Sequence, residues 1–327
     1  MAGDVSVAVI AGNLFIRGDD LDNSLRISSG AEAGAFVITG NTSPDETTIN
    51  GSWAPLTVTG VTKRVIIQMG DGEDFVYVNG AAFADDLLVD LGAGDDYFSL
   101  GHDYPWLPER RGASVGGDFW LRARDGNDEV RMDYLAVAGN HVLDLGSGND
   151  RARYGSREVF ILTDAFGREP TVTYSVGVQI SGKFTVNLGA GNDSLETFVL
   201  NVGSRTVVSA GDGDDRIRFD HADSEHLVIA AGAGNNRVLL ESSQFQRANV
   251  LLGAGDDEVI VGGVTVTETA VFAGQAGNDV YADVSGKGYL DGFATYGPNS
   301  FGRLFQFSFE TIGTMPRDIF IGPFVRV

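Results

Sequence analysis

The sequence predicts an all-β protein: a single parallel, right-handed β-helix, or β-solenoid, of roughly twelve coils of about 22 residues, closed by an aromatic C-terminal cap. Three observations lead to this prediction. A motif of glycine, aspartate and asparagine recurs along the chain, apolar and polar residues alternate on both sides of it, and no long stretch has the period of an amphipathic helix. The right-handed sense follows from the general rule for parallel crossover connections.

The motif has the form Gly-x-Gly-x-Asp in most copies, and its last residue is called the marker below. The markers are Asp74, Asp96, Asp128, Asp150, Asp193, Asp215, Asn236, Asp257 and Asp279. They lie 22, 32, 22, 43, 22, 21, 21 and 22 residues apart. The spacing of 32 indicates an inserted loop at 102–112. The spacing of 43 indicates two coils, one of which has lost its motif near Gly167-Arg168-Glu169.

The repeat is expected to reach nearly to the N-terminus, because Asp22-Asn23 and Asp45-Glu46 also precede alternating runs, and Asn23 and Asp45 lie 22 residues apart. Two residues after the markers, the chain places a column of apolar side chains that we expect to stack in the core. That column reads Val76, Phe98, Val130, Ala152, Leu195, Ile217, Val238, Val259 and Tyr281. Residues 1–285 are therefore predicted to form the solenoid. Residues 286–327 lack the motif, are rich in phenylalanine, and are predicted to cap its end or to dock another subunit.

Composition excludes several classes of protein. The 327 residues carry 45 acidic and 23 basic side chains, a formal charge of −22, which argues against a nucleic-acid binder with a general basic surface. Because cysteine is absent, disulfides and thiolate metal sites are excluded. No run of 18 apolar residues is present to span a membrane, and no signal peptide is visible at the start.

Stacked markers predict a cation. In adjacent coils the marker carboxylates would lie about 4.8 Å apart and repel each other by about 0.9 kcal/mol in water, or about 3.5 kcal/mol at an effective dielectric constant of 20. Calcium, which accepts six to eight oxygen ligands, suits such an irregular edge better than magnesium. The predicted ligands are Asp74, Asp96, Asp128, Asp150, Asp193, Asp215, Asp257 and Asp279, with Glu73, Asp95, Asp214 and Asp256 beside them. The alternative is that these side chains only cap tight turns.

The motif resembles the RTX, or hemolysin-type, calcium-binding repeat, in which Gly-Gly-x-Gly-x-Asp-x-apolar-x builds a parallel β-helix. Gly92, Gly94, Asp96 and Phe98 match the second and third glycines, the aspartate and the apolar residue of that pattern. The first glycine is replaced in most copies, and the motif recurs every 22 residues instead of every nine. The resemblance implies calcium binding and a secreted protein.

The expected function is that of a non-enzymatic, calcium-binding solenoid, secreted or on the cell surface, with a structural or adhesive role. Self-assembly into an extracellular fibre is one variant, and a polysaccharide-active, lyase-like enzyme on the same scaffold is the alternative. The expected partners are calcium, a second copy of the chain, or a surface polysaccharide or protein. The inserted loop offers Tyr104, Trp106, Arg110 and Arg111 as partner-binding residues, unless Trp106 folds back over the solenoid wall.

Overall fold

A computed structural model of the chain describes residues 3–41, 46–101, 112–161, 171–284, 300–301, 303–307 and 311–314. The regular structure within these ranges consists of β-strands. They form one large, mostly parallel mixed sheet that curves round until it nearly closes, and a separate two-stranded sheet.

The strands are short and closely spaced. The first six are β1 (Gly3–Ile10), β2 (Asn13–Arg17), β3 (Ser24–Ser29), β4 (Phe36–Gly40), β5 (Thr47–Ile49) and β6 (Leu56–Val58). They are followed by β7 (Val65–Asp71), β8 (Phe75–Asn79), β9 (Ala82–Phe83), β10 (Leu87–Ala93), β11 (Tyr97–Leu100), β12 (Ala113–Val115), β13 (Phe119–Asp125), β14 (Glu129–Met132), β15 (Leu135–Val137), β16 (His141–Ser147), β17 (Arg151–Tyr154), β18 (Ser156–Ile161) and β19 (Thr171–Val176). The remainder are β20 (Val178–Ile180), β21 (Phe184–Ala190), β22 (Ser194–Asp212), β23 (Arg216–Ala233), β24 (Arg237–Glu241), β25 (Gln244–Ala254), β26 (Glu258–Gly262), β27 (Thr265–Ala276), β28 (Val280–Asp283), β29 (Ser300–Phe301), β30 (Leu304–Phe307) and β31 (Thr311–Thr314).

The repeats contribute strands to three parallel rows. Row 1 precedes the motif and runs through β2, β7, β10, β13, β16, β21, the second halves of β22 and β23, β25, β27 and β30. Row 2 follows the marker and runs through β3, β8, β11, β14, β17, the first halves of β22 and β23, β24, β26, β28 and β31. Row 3, between them, is made of short pairings such as β12 with β15 and β15 with β20. Most repeats therefore contribute strands to all three rows.

The glycines of the motif stack on one another from repeat to repeat. Gly92 pairs with Gly70 and Gly189 with Gly146, both at positive φ. A Cβ atom on Gly148 would overlap the carbonyl oxygen of Gly126 in the preceding repeat. Close backbone stacking at a φ that other residues rarely adopt therefore explains why the motif keeps its glycines.

The predicted apolar column is confirmed as core. Its members from Val76 to Val259 are fully buried, and Tyr281 is 4% exposed. Row 1 supplies the facing side chains, such as Phe184, Val186 and Leu188, which alternate with partly exposed neighbours. The two-residue alternation in the sequence therefore predicted correctly which face of each strand is buried.

The interpretation of the 43-residue spacing is wrong. Arg151 pairs directly with Ser194, so the repeats on either side of the gap are neighbours. The intervening chain forms the antiparallel pair β18 and β19, which belongs to the second sheet. The gap is an inserted hairpin and not a coil with a degenerate motif, and Gly167-Arg168-Glu169 lies outside the described residues. The 32-residue spacing is an insertion as predicted, since Tyr97 pairs with Glu129 across it.

The N-terminal prediction is also wrong in part. Ser24 pairs with Phe75, so the repeat that begins at Asn23 is followed directly by the one at Asp74, 51 residues on. The chain between them adds β4 and β6 antiparallel to the sheet, and β5 pairs with β1. Asp45-Glu46 is therefore no marker. At the other end, the predicted cap contains β29, β30 and β31, which continue the parallel rows.

Candidate functional site

The marker column joins successive repeats through one recurring hydrogen bond. In each case Oδ1 of a marker accepts the backbone N–H of the marker in the preceding repeat, at 2.7 to 3.1 Å. The bonds run from Asn23 to Asp74, Asp74 to Asp96, Asp96 to Asp128, Asp128 to Asp150, Asp150 to Asp193, Asp193 to Asp215, Asp215 to Asn236, Asn236 to Asp257 and Asp257 to Asp279. The predicted metal-binding aspartates are therefore brought into one line.

This column is buried. No marker from Asp74 to Asp279 is more than 2% exposed. Within the described residues, the second carboxylate oxygen, Oδ2, has no hydrogen-bond partner in Asp74, Asp96, Asp128, Asp150, Asp193, Asp215 and Asp257. A buried carboxylate oxygen without a donor is costly. The turn-capping alternative therefore accounts for Oδ1 but leaves Oδ2 unexplained.

Burial changes the acidity of these groups. Loss of hydration raises the pKa of Asp96 to about 8 and that of Asp128 to about 6. The same cause raises the pKa of Asp74, Asp150 and Asp215 to about 7. In each group the backbone hydrogen bond from the preceding repeat lowers the pKa, and neighbouring carboxylates raise it further. The column therefore favours a proton or a cation over bare negative charge.

Asn236 shows the surroundings of the marker atom that is Nδ2 in asparagine and Oδ2 in aspartate. Its Nδ2 donates to the carbonyl oxygen of Gly234 at 3.1 Å and to that of Leu252 at 3.5 Å. Asn23 likewise donates to the carbonyl oxygen two residues before it. Because the backbone repeats, we expect Oδ2 of an aspartate at this position to lie near carbonyl oxygens where asparagine places a donor. A proton on that oxygen or a bound cation would make the arrangement favourable.

A second column of short side chains lies immediately before the markers, on the exposed side, and is called the outer column. It consists of Asp95, Asn127, Asn149, Asn192, Asp214, Asn235, Asp256 and Asn278. Here the direction is reversed, because Oδ1 accepts the N–H of the following repeat, as in the bond from Asn127 to Asp95 at 2.7 Å. The predicted additional ligands Asp95, Asp214 and Asp256 therefore lie outside the buried line of Oδ2 atoms, and aspartate and asparagine alternate over 192–278.

A third, shorter column was not predicted. Asp118 donates its backbone N–H to Asp86, Asn140 donates to Asp118, and Lys183 donates to Asn140, at 2.7 to 3.0 Å. The signal was present in the sequence, since Asp86, Asp118 and Asn140 each lie ten residues before a marker. This column strengthens the view that acidic and amide side chains hold the register of the repeats.

Candidates for catalysis are not brought together. Arg124 binds Asp90 through two nitrogen atoms and Arg122 lies 3.5 Å from Asp144, so both form ion pairs on the surface. His141 is fully buried and bonded to the hydroxyl of Tyr154 at 2.7 Å. Within the described residues, no group of three or more acidic or histidine side chains is close enough to form a conventional metal cluster.

The proposed partner-binding residues Tyr104, Trp106, Arg110 and Arg111 lie outside the described residues. The part of the chain that the structure describes contains no helix long and apolar enough to cross a membrane. No protein-family model matches the chain, and no curated protein is significantly similar to it. The resemblance to the RTX repeat therefore depends on the residues of the motif alone.

Proposed function

We propose that the chain is a non-enzymatic, calcium-stabilised protein of the cell exterior or cell surface with a structural or adhesive role. The three parallel rows support the further proposal that the fold is a right-handed β-solenoid of the RTX-like kind, ended by the C-terminal segment. The single observation that carries the proposal is the line of buried marker carboxylates, seven of which have one oxygen without a hydrogen-bond donor among the described residues: Asp74, Asp96, Asp128, Asp150, Asp193, Asp215 and Asp257.

The donor set of the marker column fits calcium. Each repeat offers a carboxylate oxygen, and the contacts of Asn236 show that main-chain carbonyl oxygens lie beside it. Calcium prefers oxygen ligands of these two kinds and tolerates an irregular arrangement. The ligands would be Oδ2 of Asp74, Asp96, Asp128, Asp150, Asp193, Asp215, Asp257 and Asp279, with Glu73, Asp95, Asp214 and Asp256 available from the exposed side. The ion would supply positive charge between repeats and no catalytic chemistry.

An exterior location follows from the affinity of such sites. An ion between two repeats would lie beside two marker carboxylates at most. One oxygen of each carboxylate already accepts a backbone N–H, so the ion would have few charged ligands. Calcium sites of low affinity are filled at the millimolar concentrations found outside cells and stay empty in cytosol. The formal charge of −22 also keeps such a protein dispersed until a cation or a partner neutralises it.

The fibre variant receives less support at the N-terminal end. End-to-end stacking needs an open strand edge, and the outer edge of β1 is occupied at Val7 by the side chain of Asn50. The described residues likewise show no observation that favours the lyase-like alternative, because Arg122 and Arg124 are engaged with acids.

The calcium proposal is tested by thermal unfolding of the purified chain in 5 mM calcium, in chelator and in magnesium. This calcium concentration lies well above the dissociation constants of weak extracellular sites. A rise in the unfolding midpoint that is specific to calcium is the expected result. Identical curves would contradict calcium binding and would leave the markers as turn caps with protonated side chains. The absence of new unsaturated ends after incubation with acidic polysaccharides is expected for a protein without lyase activity.

A further inference from the structure

One stretch of the outer surface differs in charge from the rest of the chain. In row 1 the side chains ten, eight and six residues before each marker point outward. In the repeats that end at markers 193, 215, 236, 257 and 279, none of these fifteen positions holds aspartate or glutamate. The same positions of the four preceding repeats hold Asp86, Asp90, Asp118 and Asp144. In a chain with 45 acidic residues, these fifteen positions hold no carboxylate, although Glu268 lies beside them as the partner of Arg247.

The acid-free half also carries a line of positive charge, called the basic column. It consists of Lys183, Arg205, His226, Arg247 and Arg303. Arg205 pairs with His226 and His226 with Arg247, so these residues are direct neighbours in the sheet. Arg303 follows after Thr269, since its carbonyl oxygen accepts the N–H of Ala270. With about 4.8 Å between strands, the five residues extend over about 24 Å.

The basic column is accessible and largely uncompensated. Lys183, Arg205, Arg247 and Arg303 are exposed, and His226 is half-buried. Within the described residues, only Arg247 among the five has an ion-pair partner, which is Glu268 at 2.6 Å. A row of neighbouring cations would be self-repelling, and an extended anion that lies along it would remove this repulsion.

Polar groups suited to sugars lie at the end of the basic column. An open groove of about 680 Å³ is lined by Arg247, Asn249, Thr267, Glu268, Thr269 and Arg303. The guanidinium groups can bind carboxylate or sulfate through paired hydrogen bonds. The threonine hydroxyls and the asparagine amide can exchange hydrogen bonds with sugar hydroxyls.

We infer that this face binds an anionic polysaccharide whose chain lies along the basic column. A linear polyanion matches a line of four cations and one histidine better than a single small anion does. A single-stranded nucleic acid fits less well, because the fifteen outward positions hold no phenylalanine, tyrosine or tryptophan on which bases could stack. The inference rests on the structural or adhesive function proposed above, for which it specifies the surface partner.

The test measures binding of a fluorescent polyuronate oligosaccharide to the whole chain at low salt, with neutral dextran and oligodeoxythymidylate as comparison ligands. The test variant is the double substitution Arg205→Ala with Arg247→Ala. The matched control is Arg64→Ala with Arg122→Ala, on the acid-containing half of the same face. These arginines are equally exposed, with 57% for Arg64 and Arg122 and 56% for Arg247, and each of these three contacts an acid.

We expect the polyuronate to bind the wild-type chain and the control variant equally. The test variant should bind about tenfold more weakly, and binding should weaken as salt is added. Absence of polyuronate binding, or equal losses in the two variants, would overturn the inference. Equal or tighter binding of oligodeoxythymidylate through the same arginines would overturn the polysaccharide assignment in favour of a nucleic acid.

Binding is measured both in calcium and in chelator, beside a melting curve for each variant. If calcium leaves the midpoint unchanged while the arginine-dependent binding persists, the calcium proposal fails and this inference stands. If calcium raises the midpoint but the polyuronate does not bind, this inference fails alone.

Discussion

Asn236 and Asp257 are joined by the same bond that joins the charged markers: the backbone N–H of Asn236 donates to Oδ1 of Asp257 at 2.7 Å. The repeat with a neutral marker therefore has the same geometry as its neighbours. The two markers differ only at the other terminal atom, which is the donor Nδ2 in Asn236 and the unsatisfied acceptor Oδ2 in Asp257. The chain thus contains its own control for the charge of the column.

Exchanging the two residue types should change stability in opposite directions. In chelator at pH 8, Asp150→Asn should raise the free energy of unfolding by about 1–3 kcal/mol, because it supplies a donor where Oδ2 has none. Asn236→Asp should lower it by a similar amount. Urea unfolding measures both. Destabilisation by Asp150→Asn in chelator would show that its carboxylate is already satisfied, and loss of the calcium response in that variant would report a ligand.

Without metal, the chain should be more stable in mild acid than in mild base. An unfolded aspartate has a pKa of about 3.9, whereas burial raises the pKa of Asp96 to about 8 and of Asp150 to about 7. The folded state therefore binds more protons between these values, and stability is lost progressively as the pH rises from about 4 to about 8. Midpoints in chelator at pH 5 and pH 8.5 check the sign. Calcium should raise the midpoint more at pH 8.5, where protons no longer compete.

Glycine stacking should matter more than glycine flexibility. Gly148→Ala should cost about 3 kcal/mol or more, because the new Cβ would overlap the Gly126 carbonyl and cannot move away. Gly51 is a control for positive φ without stacking: its φ is 70°, against 139° at Gly148, and no atom lies within 4 Å of the position that an added methyl group would take. Gly51→Ala should cost only about 1–2 kcal/mol. Equal losses in chemical denaturation would mean that backbone strain alone accounts for the recurrence of glycine in the motif.

His141 and Tyr154 form a polar pair inside the apolar core. His141 lies between Phe119 and Phe184, with ring centroids 4.4 and 5.4 Å away. Its Nδ1–H donates to the Phe119 carbonyl, so Nε2 accepts the Tyr154 hydroxyl. Tyr154→Phe should therefore cost about 1–3 kcal/mol by leaving Nε2 unpaired. Adding His141→Phe should restore part of that loss in a double-mutant cycle. An additive double variant would show that the hydrogen bond contributes nothing.

The edge of β1 should limit self-association. Asn50 accepts the N–H of Val7 at 2.8 Å and donates to its carbonyl oxygen at 3.1 Å, as a neighbouring strand would. Asn50→Ala should expose these groups and increase the apparent mass in light scattering at high protein concentration. Asn13→Ala, at a residue that bonds only within its own turn, is the control. An unchanged mass for both variants would indicate that the edge is protected by other means.

The periodic part of the fold could be predicted from the sequence because spacing and alternation are local signals. The markers, the core column from Val76 and the stacked glycines all follow from a period of about 22 residues. The inserted hairpin could not be recognised in this way, because its length makes the distance from Asp150 to Asp193 nearly twice that period. The antiparallel strands near the N-terminus were missed for the same reason, since Asp45 falls one period after Asn23 by coincidence.

The candidate site was predicted in its residues but not in its burial. The line of Asp and Asn at the markers was recognised, yet nothing in the spacing shows that Oδ1 is bonded to the preceding repeat. The markers are restricted to Asp and Asn, and this restriction was the available signal of the bond. A glutamate occurs beside the markers at Glu73 but never among them. The basic column was missed although Lys183, Arg205, His226 and Arg247 lie 22, 21 and 21 residues apart.

The N-terminal hairpin gives the molecule a direction of assembly. Because β1 runs antiparallel to β2 and covers one side of it, a newly arriving strand finds a free edge on the opposite side only. Because translation proceeds from the N-terminus, this covered end is synthesised before the repeats that follow it. Each later segment can then dock on a template that already exists, in the order in which the polypeptide emerges.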